Sequence, residues 1–123
     1  MLIRASLVLA LGLAVTACER ARVGADQYVP GGDPERGRAL IAAIGCGECH
    51  DIPGVQGAHG AVGPPLGNIG RRTIVAGLLP NTPANLEHWL EAPQSVVPGN
   101  AMPDMGINQK EARDVAAYLY TLR

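Results

Sequence analysis

The chain has no phenylalanine and one tryptophan among its 123 residues, so aromatic rings contribute little to filling the interior of its domain. Three cysteines are too few for the dense disulfide framework that stabilises many small exported domains. Ten cations against eleven acids give a formal net charge of −1, which makes no case for nucleic acid as a partner. There is no internal repeat or low-complexity run, and the one long apolar stretch, near the N-terminus, is short for a membrane-spanning helix. A chain this short buries a modest share of its surface unaided, so a large apolar cofactor is the natural supplement to its core.

What is present begins with an export signal. Positions 1–17, MLIRASLVLALGLAVTA, carry one cation at Arg4, an apolar run from Leu7 to Val15 and the small residues Thr16 and Ala17. The next residue is Cys18, and VTAC resembles the bacterial lipobox. That resemblance implies cleavage before Cys18, acylation of its sulfur and attachment to a lipid membrane, with the domain on the extracytoplasmic, periplasmic side. Acylation leaves Cys46 and Cys49 for all remaining sulfur chemistry. Residues 18–32 lack a helical apolar period and close on Pro-Gly-Gly, so they are expected to be a flexible tether with a reach of roughly 20 Å. A single domain is expected over residues 33–123.

Three segments of that domain have helical start signals. Asp33 can cap a helix that Pro34 and Glu35 favour and that Leu40, Ile41 and Ile44 make amphipathic. Thr82 and Pro83 open a second, with Leu86, Trp89 and Leu90 on one face. Asn108, with Glu111 three residues on, opens a third, in which Ala112, Val115, Ala116 and Leu119 recur at helical spacing. No stretch alternates convincingly as a strand, and the expected fold class is all-α. Between the first two helices lies a Gly- and Pro-rich stretch of more than thirty residues, too long for an idle connection in a small domain.

CGECH, residues 46–50, opens that stretch. A dithiol switch would place its first cysteine at the start of a helix in a βαβ setting, and the chain shows no such pattern. A structural zinc site would need a fourth ligand and usually a second CxxC knuckle. Covalent haem attachment accounts for the spacing directly. Cys46 and Cys49, about one helical turn apart, can form thioethers with two vinyl groups, and His50 follows where its imidazole can bind the iron. For the opposite face of the iron the sequence offers Met102, Met105, His59 and His88.

From Gly32 to Leu122 the chain resembles the class I cytochromes c, monohaem proteins with His and Met ligands. GDPERGRALIAAIGCGECH is similar to the family's first helix and haem motif, and GPPLGNIGRR to its proline-containing loop. LEHWLEAPQSVVPGNAMP is similar to the helix and loop before its methionine, and EARDVAAYLYTL to its last helix. The resemblance implies three main helices and long loops wrapped around one covalent haem c, with Met102 as sixth ligand. It implies that the Pro64 carbonyl accepts from the His50 ring, that Trp89 lines the methionine side, and that Arg71, or its neighbour Arg72, meets the haem propionates. It also implies that Gly37 and Tyr118 lie where the first and last helices cross.

His/Met ligation fills both axial positions and implies a carrier of single electrons in a respiratory chain rather than an enzyme. LLPNTPANLEHWL and VVPGNAMPDMGI resemble the cytochrome c domains of haem-copper terminal oxidases. The expected partners are therefore membrane redox complexes, a terminal oxidase as acceptor and an upstream donor. Two competing readings remain: a fixed cytochrome c subunit of a membrane oxidoreductase, and a haem sensor or peroxidase with a labile sixth ligand.

Overall fold

The computed structural model describes residues 28–123. The signal segment, Cys18 and most of the tether lie outside the described residues. Four helices follow in order: α1 (Pro34–Ile44), α2 (Pro83–Glu91), the single-turn α3 (Pro93–Val96) and α4 (Gln109–Leu119). The start signals operate as local chemistry dictates. Asp33 accepts from the Arg36 N–H at the head of α1, and Thr82 accepts from the Asn85 N–H at the head of α2. Asn108 and Glu111 complete a reciprocal capping box on α4. Gly45, with φ of 88°, ends α1 in the left-handed conformation just ahead of the first motif cysteine.

The first and last helices pack on each other at a very close crossing. A Cβ on Gly37 would lie 1.9 Å from the Asp114 carbonyl oxygen, so only glycine admits the approach. The Asp114 carboxylate, 1% exposed, reinforces the crossing. Its oxygens accept from the Asp33 N–H at 2.9 Å, Arg36 Nε at 2.9 Å and Lys110 Nζ at 3.2 Å. Burial would raise the Asp114 carboxyl, and the Asp33 N–H, Lys110 and Arg36 outweigh it, so its pKa lies below the ordinary range. Tyr118, on α4, donates to the Pro53 carbonyl at 2.6 Å and so ties the last helix to the long loop.

The core gathers Ile41 from α1, Leu86 and Leu90 from α2, Ala112, Val115, Ala116 and Leu119 from α4, and Ile52, Val55 and Ile69 from the loop. Val29 is also buried, at 3% exposure, although it falls in the stretch expected as tether. The bare Cα of Gly32 explains this, since a Cβ there would lie 2.8 Å from that of Ala117. The chain can thus lie flat along α4 before α1 begins.

One further feature departs from the expectation of helices and loops alone. Ile74–Val75 and Leu79–Pro80 form a small antiparallel hairpin, β1 and β2, each strand too short to show alternation in sequence. Beside it Asn81, fully buried, donates to the Ile69 carbonyl at 2.8 Å and the Arg72 carbonyl at 2.9 Å, and accepts from the Tyr120 hydroxyl at 2.9 Å. Burial pushes the Tyr120 hydroxyl well above its ordinary range, which keeps it a donor.

Candidate haem site

The CGECH motif folds as a 3-10 turn over Cys46–Glu48. The Cys49 N–H and the His50 N–H both donate to the Cys46 carbonyl, at 3.2 and 3.0 Å, which winds the two sulfur-bearing residues onto one turn. Both thiols are free and half-buried. Burial pushes the Cys46 thiol up, with Cys49 pushing the same way, whereas an activated redox cysteine needs the opposite shift. Among the described residues no group of three or more His, Cys, Asp or Glu side chains is placed to hold a metal ion, so the turn has no companions for a zinc tetrahedron.

His50 is held on two sides. Its Nδ1 lies 2.8 Å from the Pro64 carbonyl oxygen. With a carbonyl as the only partner there, Nδ1 carries the proton and Nε2 keeps the free lone pair that a metal needs. The ring also rests against the bare Cα of Gly63, where a Cβ would come within 2.3 Å of Cε1 and 2.6 Å of Nδ1. Backbone bonds lace this loop to the motif: the Gly60 N–H donates to the Gly47 carbonyl at 3.0 Å, and the Gly63 N–H to the Cys49 carbonyl at 2.8 Å. The structure thus brings Cys46, Cys49, His50 and Pro64 together. Gly63 escaped the sequence reading, its only signal being the glycine density of the loop.

The remaining candidates separate. Met102 is half-buried and packs against the core, as does Trp89. Met105 is half-buried but stands outside that packing. His59 is exposed, with Nδ1 3.2 Å from Asp51 Oδ1, and His88 is exposed on α2. Arg71 is exposed, whereas the Arg72 guanidinium donates to the Pro65 carbonyl. The loop carrying Met102 is braced by Gln94 and Asn100, neither of which the sequence singled out.

A pair of unpaired thiols on one turn, followed by an imidazole with one nitrogen engaged and the other available, fits a covalently held haem. A small, largely helical domain with this motif after its first helix defines a c-type cytochrome. Residues 34–123 match the model of the family described as Cytochrome c, and the chain belongs to that family.

Cytochrome c2 of Rhodopila globiformis is 36% identical over 107 residues, covering 76% of this chain and 97% of that protein. Cytochrome c oxidase subunit 2 of Alkalihalophilus pseudofirmus is 40% identical over 91 residues, covering 72% of this chain. The match takes in 25% of that subunit, so the chain spans about a quarter of its length. The solved structure of cytochrome cH from Methylobacterium extorquens superposes with a TM-score of 0.56 at 29% identity, covering 73% of this chain and 99% of that one. The chain therefore carries covalent haem c, with Cys46 and Cys49 at the spacing of a CxxCH motif, and is an electron-transfer cytochrome.

Proposed function

We propose that this cytochrome is a single-electron carrier whose haem iron His50 and Met102 would hold, that it is tethered to the outer side of a membrane through acylated Cys18, and that it passes electrons to a haem-copper terminal oxidase. The observation that carries the ligand assignment is the 2.8 Å contact between His50 Nδ1 and the Pro64 carbonyl. It fixes the tautomer, orients the ring and raises the basicity of Nε2. Met102 supports the other half of the assignment, being part-buried in a loop whose backbone is pinned at that residue. Haem iron between an imidazole and a thioether supplies a one-electron couple of comparatively high potential. Cys46 and Cys49 bind the group, Pro64 and Gly63 hold the imidazole plane, and Trp89 with the core leucines keeps water away.

The test is the optical spectrum of the holoprotein, oxidised and reduced, compared with Met102→Ala. A weak near-red ferric band that disappears in the variant supports His50/Met102 ligation. A high-spin wild type that binds carbon monoxide rapidly and completely when reduced sinks the carrier reading in favour of a sensor. For the anchor, Cys18→Ala is expected to move the protein out of the membrane fraction while leaving its spectrum alone.

A second reading, a fixed subunit of a membrane complex, is favoured by the 40% identity to part of an oxidase subunit. Detergent extraction at high salt separates the two, since stoichiometric co-purification with oxidase subunits marks a fixed subunit and loss marks a mobile carrier.

A further inference from the structure

We infer that Gln94 and Asn100 form a paired-amide clamp that positions Met102, a role that rests on the reading of Met102 as an iron ligand. Both peptide groups of Met102 end on side-chain amides. Its N–H donates to Asn100 Oδ1 at 2.7 Å, and its carbonyl accepts from Gln94 Nε2 at 2.7 Å.

The clamp is closed on itself. Gln94 Nε2 donates also to the Asn100 carbonyl at 3.0 Å, and Gln94 Oε1 accepts from the Gly99 N–H at 3.0 Å. Asn100 Nδ2 donates to the Pro93 carbonyl at 3.0 Å and the Val97 carbonyl at 2.6 Å. The Gln94 N–H itself donates to Asp104 Oδ1 at 3.2 Å, so a residue beyond Met102 is drawn back to α3. Donor and acceptor of each amide are thus both used, which fixes its orientation as well as its place.

Such a device suits a methionine ligand. Residues 97–108 contain no helix or strand, so no regular backbone ladder sets the position of Met102. Its side chain has three rotatable bonds and a polarizable but uncharged sulfur, so it supplies little directional stiffness of its own. A ligand of that kind stays in place only if the backbone that carries it is held by a supporting shell. Gln94 and Asn100 meet that requirement from opposite sides of one residue, through bonds to the two groups that define its position. They are positioning residues, and the side chain that meets iron is Met102.

The experiment is a titration of ferric holoprotein with imidazole, which competes for the methionine's coordination position, together with the temperature at which the near-red band fades. Gln94→Leu and Asn100→Leu are each expected to bind imidazole about tenfold more tightly, the value of the one hydrogen bond to Met102 that each removes, and to lose the band at lower temperature. Asn100→Asp keeps the acceptor for the Met102 N–H but loses the donors to the Pro93 and Val97 carbonyls, and is expected to fall between wild type and Asn100→Leu. Ser95→Ala, whose hydroxyl reaches only the Ala92 carbonyl, is expected to match wild type.

Variants that unfold more easily while binding imidazole as wild type does would show a structural role only and overturn the proposal. Should a leucine variant fail to fold, Gln94→Glu decides the same question, since it keeps the acceptor for Gly99 and loses the donor to Met102. A wild type without the band, or a band that survives Met102→Ala, overturns the ligand assignment instead. That result is distinct from a Met102-dependent band with clamp variants of unchanged affinity, which overturns the clamp alone.

Discussion

Gly37 and Asp114 approach so closely that their backbones exclude any side chain between them, a Cβ on Gly37 falling 2.5 Å from the Asp114 carbonyl carbon. The obstacle is backbone rather than the end of a flexible side chain, so it cannot be rotated away. Gly37→Ala must part α1 from α4 and is expected to cost about 3 kcal/mol, at the upper end of overpacking effects. Urea unfolding of the holoprotein, followed by far-UV circular dichroism, reads this directly.

Asp114 makes the same crossing sensitive to acid. Its folded pKa lies below the ordinary 3.8, so the unfolded chain takes up the proton first as pH falls. The stabilisation is fully present above the unfolded value and is lost as pH drops toward the folded one. Urea midpoints measured from neutral pH downward should fall below about pH 4 in wild type. Asp114→Asn should be less stable at neutral pH by about 2 kcal/mol, the value of hydrogen bonds to charged partners, and should show a flatter acid limb.

Asn81 and Tyr120 predict a coupled loss. Asn81→Ala leaves the Ile69 and Arg72 carbonyls and the Tyr120 hydroxyl without their amide, and is expected to destabilise by about 3 kcal/mol. Tyr120→Phe removes one of those bonds and should cost about 1 kcal/mol. In the double variant the hydroxyl is no longer stranded, so the two losses should sum to more than the measured total.

With His50 as the proposed iron ligand, Gly63 predicts an electrochemical consequence. A methyl group there collides with the His50 ring and pushes Nδ1 away from the Pro64 carbonyl. The imidazole loses the bond that enriches its basicity, so Gly63→Ala should raise the reduction potential while both thioethers form normally. Spectroelectrochemical titration gives the potential, and a denaturing gel stained for haem gives the attachment. An unchanged potential would show that Pro64 does not tune the ring.

How far the sequence discloses this molecule depends on the range over which each feature acts. Asp33, Thr82 and the Asn108–Glu111 pair act within one helical turn, so the helix starts are legible from neighbours alone. The spacing of Cys46, Cys49 and His50 is equally local, all three falling within five consecutive positions. The His50–Pro64 contact spans fourteen residues, and family resemblance rather than any spacing rule points to it.

Other features are silent in sequence because their partners are distant or their chemistry is ordinary. Asn81 looks like a turn residue, and its burial follows from Tyr120 arriving thirty-nine positions later. Gln94 and Asn100 read as loop polarity, and only the fold of 93–102 turns their amides onto Met102. Val29 gave no signal because its burial depends on how Gly32 meets α4.

The bond between the Asp33 N–H and Asp114 joins positions eighty-one residues apart, so the opening and closing elements of the domain hold each other. The first and last described helices are thus clasped to each other, as the two halves of a bracelet clasp are. Closing so large a loop is entropically costly and late. Until α4 arrives, α1 lacks its principal packing partner. Removing the fifteen residues 109–123 is therefore expected to destabilise α1, although α1 lies far away in sequence.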